Sequence, residues 1–154
     1  MIHNFFVYNR ESVEALEPHD VPHVIISVST PDDPRGQAKL KTDHHTRGVL
    51  RLQFQDRDRI LHDADNNVLF NETHAQLILS FVAAHPDAER LNVHCDAGYS
   101  RSPAIAAALS KILVGDDRYF FQRYRPNMLV YRRILEAHYG NVHEDETGER
   151  TWKQ

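Results

Sequence analysis

Leu91-Asn92-Val93-His94-Cys95-Asp96-Ala97-Gly98-Tyr99-Ser100-Arg101-Ser102-Pro103 is the stretch whose reading decides the fold of this chain. Leu91 and Val93 predict a short strand that runs straight into Cys95. A helix is expected to follow, with Ser102 as its cap and Pro103 in its first turn, where a missing N–H does little harm. A loop that joins a strand to a helix N-terminus exposes successive backbone N–H groups, and these donors and the helix dipole together favour an anion. Asp96, Ala97, Gly98, Tyr99, Ser100 and Arg101 hold that position and are the candidate binding residues. At the mouth of the loop Cys95 meets the same field, which favours the nucleophilic thiolate. Arg101 offers a planar donor fork that can hold two oxygens of a phosphate at once. Ser102 can donate a hydrogen bond to the thiolate and stabilise it as a leaving group.

On either side of this stretch the pattern alternates between strands and helices. The segment from Pro103 to about Val114 is Ala-rich and apolar on most sides, as a buried helix would be, and Gly115 is a natural stop. Upstream, Phe5 to Tyr8 reads as a strand and Glu11 to Leu16 as one or two helical turns. Val24 to Val28 is a β-branched run that predicts a buried central strand, followed by turns at Pro31-Asp32-Asp33-Pro34 and a polar loop through His45. Leu50, Leu52 and Phe54 alternate with polar residues, predicting a strand that ends near Asp56. Asn71 can cap a helix bearing Leu77, Ile78, Phe81 and Val82 on one face and closing before Pro86. Downstream, Asp117 to Tyr124 reads as a short helix, and Asn127 can cap a last helix ending at Tyr139–Gly140. The expectation is therefore an α/β fold with a central, mostly parallel sheet of 4–5 strands flanked by helices.

A chain of 154 residues fits one domain, expected over residues 1–140, with a polar, mobile tail over 141–154. With 41% hydrophobic and 26% charged residues it should fold, and a net charge of -4 argues against a broad nucleic-acid surface. A single cysteine excludes an intramolecular disulfide. The N-terminus lacks a signal-peptide pattern and no stretch is apolar enough to span a membrane, so a reducing, cytoplasmic setting is expected.

The run His94-Cys95-x5-Arg101-Ser102, with Gly98 inside it, resembles the signature of the protein tyrosine phosphatase superfamily. A bare Cys-x5-Arg arises by chance in about one chain in ten at average residue usage, and the flanking His, Gly and Ser make the match far more specific. Tyr99-Ser100-Arg101-Ser102-Pro103 is most similar to the dual-specificity branch. The resemblance implies that Cys95 attacks phosphorus to form a thiophosphate intermediate, while Arg101 and the loop amides hold the transferring oxygens. It also implies an aspartate, carried on a loop after an upstream strand, that protonates the leaving oxygen. Asp56 fits that role best, and Asp58, Asp63 and Asp65 compete with it.

Such an enzyme needs no cofactor or metal, and its partner would be a phosphorylated protein or peptide. Phosphotyrosine is the expected substrate, with phosphoserine and phosphothreonine open. Asp96, where phosphoinositide phosphatases often carry loop lysines, should repel a polyanion. A phosphate-binding protein without turnover and a phosphoinositide phosphatase are the alternatives. A monomer is expected.

Other residues have plainer readings. His94 should brace the loop by hydrogen bonding. His44 and His45 beside Asp43 are adjacent in sequence and should point apart, which disfavours a metal site. The aromatics of Tyr119 to Tyr124 should face the core, and Asn127 should act as a helix cap.

Overall fold

The structure, a computed structural model, describes residues 1–57, 68–140, 142–144 and 150–152. In chain order β1 (Asn4–Tyr8) leads to α1 (Arg10–Ala15), β2 (His23–Ser29), β3 (Thr46–Gln53), α2 (Glu72–Ala83) and β4 (Arg90–His94). Then follow α3 (Arg101–Val114), α4 (Arg118–Arg123), α5 (Met128–Tyr139), β5 (Val142–Glu144) and β6 (Arg150–Trp152). Strands β1, β4, β2 and β3 pair in that order, all parallel, in one four-stranded sheet. Because β4 lies between β1 and β2, the loop that leaves its C-terminal end emerges between the connections leaving its two neighbours. Open α/β sheets bind ligands in such a crevice.

Every residue of β2 is buried, as a strand covered on both faces requires. Val24, Ile26 and Val28 join the core beneath α2, α3 and α5. On the other face Ile25 lies with Val13 of α1 and Leu16 just after it. Helix α3 is buried from Arg101 through Ser110, and its run of alanines brings its backbone close to the sheet. Burying Ile105 and Leu109 in this layer contributes about 1.5–3 kcal/mol each.

Four expectations need correction. Strand β3 begins at Thr46, four residues before Leu50, because the ladder to β2 extends to its N-terminal end and Gly48 allows a close approach: a Cβ there would lie 2.6 Å from His85 Nε2. Helix α3 begins at Arg101, with Ser100 rather than Ser102 in the cap position and no side-chain capping bond. In the tail, β5 and β6 pair antiparallel from Val142–Trp152 to Glu144–Arg150, where a polar, mobile segment was expected. Val142, Thr151 and Trp152 are residue types that suit extended backbone. Of the aromatics on α4 only Phe120 is buried, whereas Tyr119 and Phe121 are exposed, since six residues turn only one narrow face inward.

Candidate active site

The loop after β4 is suspended from the turn after β1. Cys95 N–H donates to the Tyr8 carbonyl at 3.4 Å, and Arg10 N–H donates to the Asp96 carbonyl at 3.1 Å. Gly98 is in the left-handed region at φ +66, and a Cβ there would lie 2.7 Å from the Asn9 nitrogen. Only glycine meets both conditions without strain. This tight wrap turns the Gly98 N–H onto Cys95 Sγ at 3.2 Å and leaves the Ser102 hydroxyl 3.1 Å from the same sulfur. Cys95 keeps 2% of its surface exposed, and Ser102 is fully buried. Two donors on one sulfur stabilise negative charge on it.

Arg101 is equally enclosed, at 5% exposure. Its Nη1 donates to the Phe54 carbonyl at 2.9 Å and to Thr30 Oγ1 at 3.0 Å, and its Nη2 donates to Asp96 Oδ2 at 3.2 Å. Its Nε is buried without a partner among the described residues. A guanidinium carries five N–H bonds, so the Nε–H and one Nη2–H remain to grip an incoming anion. Orphaned buried donors are costly and call for a partner.

The Asp96 carboxylate is held by three side chains. Besides Arg101 it accepts from Thr30 Oγ1 at 2.7 Å and pairs with Arg35 at 3.4 Å. Two guanidinium groups meet its charge, so the repulsion of polyanions expected from sequence is largely compensated within the protein.

Asp56, just beyond β3, reaches the opposite side of the loop. Its Oδ1 accepts from Ser100 Oγ at 2.8 Å and from Asn127 Nδ2 at 2.9 Å. The first bond explains why Ser100 does not cap α3: its hydroxyl is committed to Asp56. Asn127 caps α5 through Val130 N–H, as expected, and also donates to the Arg57 carbonyl at 2.8 Å. Its own N–H donates to the Ser100 carbonyl at 2.9 Å, which binds this corner to the loop after β4. Asp58, Asp63 and Asp65 lie outside the described residues. Tyr99 is about half exposed at the rim, edge-on to Tyr124, and Ala97 completes the loop.

His94 is buried behind Cys95. Burial pushes its imidazole down from 6.5 to about 4, and its contact with the Cys95 carbonyl only partly offsets this. The neutral ring bridges Ser27 Oγ at 2.6 Å and the Cys95 carbonyl at 3.4 Å, the bracing role read from sequence. Elsewhere, Asp43, His44 and His45 offer ligand atoms within 4.8 Å of one another, and the two rings lie tilted against each other with centroids 3.9 Å apart instead of diverging. The cause is a turn in which the Asp43 carboxylate accepts the His45 N–H at 2.8 Å.

Sequence reasoning placed Cys95, Arg101, Ser102, Asp56 and the loop, and the fold brings all of them together. It missed Thr30, Arg35, the Phe54 carbonyl and the second bond of Asn127. Thr30 and Phe54 follow the ends of β2 and β3, and the rule that sites form at the C-terminal ends of parallel strands was the available signal.

No family model matches the sequence, and no curated protein does. Solved structures do. A human tyrosine phosphatase-like serine/threonine/tyrosine-interacting protein superposes with TM-score 0.57 at 18% identity, over 88% of this chain and 91% of that one. A variant of human DUSP28 gives 0.54 at 18%, over 86% and 88%, and the PTP-2 phosphatase of Cydia pomonella gives 0.51 at 16%, over 99% and 95%. The chain therefore shares the α/β fold of these solved structures. Among the described residues, no helix is long and apolar enough to cross a membrane.

Proposed function

We propose that this protein is a cysteine-dependent phosphomonoesterase acting on phosphotyrosine in proteins, with phosphoserine and phosphothreonine as further substrates, through a domain spanning residues 1–140. The observation that carries this reading is the pairing of Cys95 Sγ, held by Gly98 N–H and Ser102 Oγ, with an Arg101 fork whose Nε–H has no partner. A binding site alone would not need a sulfur beneath the anion.

In the first step the Cys95 thiolate attacks phosphorus, the ester P–O bond breaks, and the leaving oxygen takes a proton from Asp56. Loop N–H groups and Arg101 hold the three equatorial oxygens, whose charge peaks in the transition state. In the second step Asp56 takes a proton from water, the new P–O bond forms, and the sulfur leaves as a thiolate that Ser102 stabilises. The bonds from Ser100 and Asn127 hold Asp56 Oδ1 beside the loop and leave Oδ2 to carry the proton. No metal or cofactor is called for in either step. The fold neighbours include phosphatases, which agrees with this chemistry without assigning a substrate.

Hydrolysis of an aryl phosphate without added metal, followed across pH, tests the reading. Cys95→Ser should lower turnover by about 10⁴-fold or more. Asp56→Asn should cost about 10²–10⁴-fold with a poor leaving group and flatten the basic limb of the pH profile. Intact phosphate binding without turnover in the parent protein would make this a binding module instead.

A further inference from the structure

Beside the phosphate loop opens a second cavity of about 750 Å³, between α1 and the β2–β3 connection, with Asp96 on its wall. The connection has no regular structure over this span, yet it is pinned. Arg10 donates to the Gly36 and Arg35 carbonyls at 2.8 and 3.3 Å, Glu14 accepts the Lys39 N–H at 2.8 Å, and Arg51 donates to the Ala38 carbonyl at 3.0 Å. The backbone that carries its cations is therefore held before any ligand arrives, which lowers the ordering cost of binding.

The charges in this cavity are unevenly committed. Among the acids, Asp96 is shared between Arg35 and Arg101, and Glu14 is occupied by Lys39 N–H with Arg10 3.9 Å away. Only Glu11 makes no side-chain bond among the described residues. Of the cations, Lys41 pairs with Glu17 at 2.8 Å. Arg35 is clamped by Asp33 through Nε and Nη2, while its Nη1 makes no bond among the described residues and the side chain is 58% exposed. Lys39 Nζ has no partner among the described residues. The cavity is thus lined by one clamped arginine and by a lysine whose ammonium is unpaired among the described residues, while its acids are mostly paired.

Building on the phosphatase reading, we propose that this cavity is a second anionic subsite, formed by Arg35 and Lys39, that selects phosphopeptides with an acidic or phosphorylated residue near the scissile phosphoresidue. The spacing supports the peptide. Arg35 and Arg101 contact opposite oxygens of one carboxylate, so the two guanidinium groups are no more than about 9 Å apart, a span of about three extended residues. The subsite is open and exposed, so its effect should fall with ionic strength.

The test compares a phosphotyrosine peptide bearing glutamates on both sides of the phosphoresidue with its alanine counterpart, at low salt. The parent should favour the acidic peptide about 10-fold in kcat/KM, a preference that shrinks in high salt. Lys39→Glu should abolish or invert it and Lys39→Gln should reduce it, with turnover of 4-nitrophenyl phosphate unchanged in both. A parallel arm measures binding of both peptides, fluorescently labelled, to Cys95→Ser protein with and without the Lys39 changes. If the parent hydrolyses nothing, the phosphatase reading fails while this binding arm still decides the subsite. Equal treatment of the two peptides by the parent, or a preference that survives Lys39→Glu, overturns the proposal. So does a Lys39 effect confined to dispersed phosphoinositides, which would assign the cavity to a lipid headgroup.

Discussion

Two strand-to-helix connections meet at the same edge of the sheet, and they are built in opposite ways. The one after β4 spans residues 95–100 and is tied throughout, with sulfur, hydroxyl, carboxylate and backbone all paired. The one after β3 spans residues 54–71, and among its described residues the one carboxylate is the exposed Asp56, to which we assign the proton transfer. Asp56 is held from outside its own segment, by Ser100 of the loop after β4 and by Asn127 at the start of α5. A short loop can encode its geometry in its own sequence, because each residue's neighbours are fixed by position. A long one needs partners from elsewhere to fix a functional group.

The sharpest way to break the short connection is Gly98→Ala. The new Cβ would meet the Tyr8–Asn9 backbone at under 3.0 Å while the residue is held at positive φ. We expect a loss of about 3 kcal/mol in stability and of phosphate binding at the loop, read by denaturant unfolding and by phosphate titration.

Acid should weaken the same region by a different route. His94 titrates at about 4 in the folded protein against 6.5 unfolded, so between these values the unfolded chain binds more protons. Its contribution is therefore complete above pH 6.5 and is lost as pH falls toward 4, about 3 kcal/mol in all. Unfolding free energies measured across this window should slope upward with pH, and His94→Gln should flatten the slope.

The smallest change concerns the long connection. Asn127→Ser keeps a helix-capping oxygen but is too short to reach Asp56. We expect kcat to fall about 10-fold on a substrate with a poor leaving group, with stability changed by under about 1 kcal/mol. An unchanged kcat would mean that Asp56 holds its position without this bond, and the contrast between the two connections would weaken.

The spacing of Cys95, Gly98, Arg101 and Ser102 was legible in sequence because all four sit within eight consecutive residues, where chain geometry fixes their relation. The element pattern was legible for a similar reason, since hydrophobic periodicity reports burial locally. The errors fell where a partner elsewhere in the chain decided the outcome. Ser102, expected as the cap of α3, lies inside the helix, with Ser100 in the cap position and its hydroxyl bonded to Asp56; Thr46 to Val49 became strand by pairing with β2, and the Tyr119 and Phe121 rings stayed outside a six-residue helix.

From its own order the sequence determined a strand, a tight loop and a buried helix, with a cysteine at the loop's mouth and an arginine at its end. Tertiary structure alone decided how that loop is equipped. Placing β4 between β1 and β2 brought Arg10, Thr30, Arg35 and the Phe54 carbonyl around Asp96 and Arg101, across separations of about 50 to 90 residues for which no local pattern exists. The reason is physical: contacts within a turn follow from backbone geometry, whereas contacts between distant segments exist only once the sheet has set their order and register.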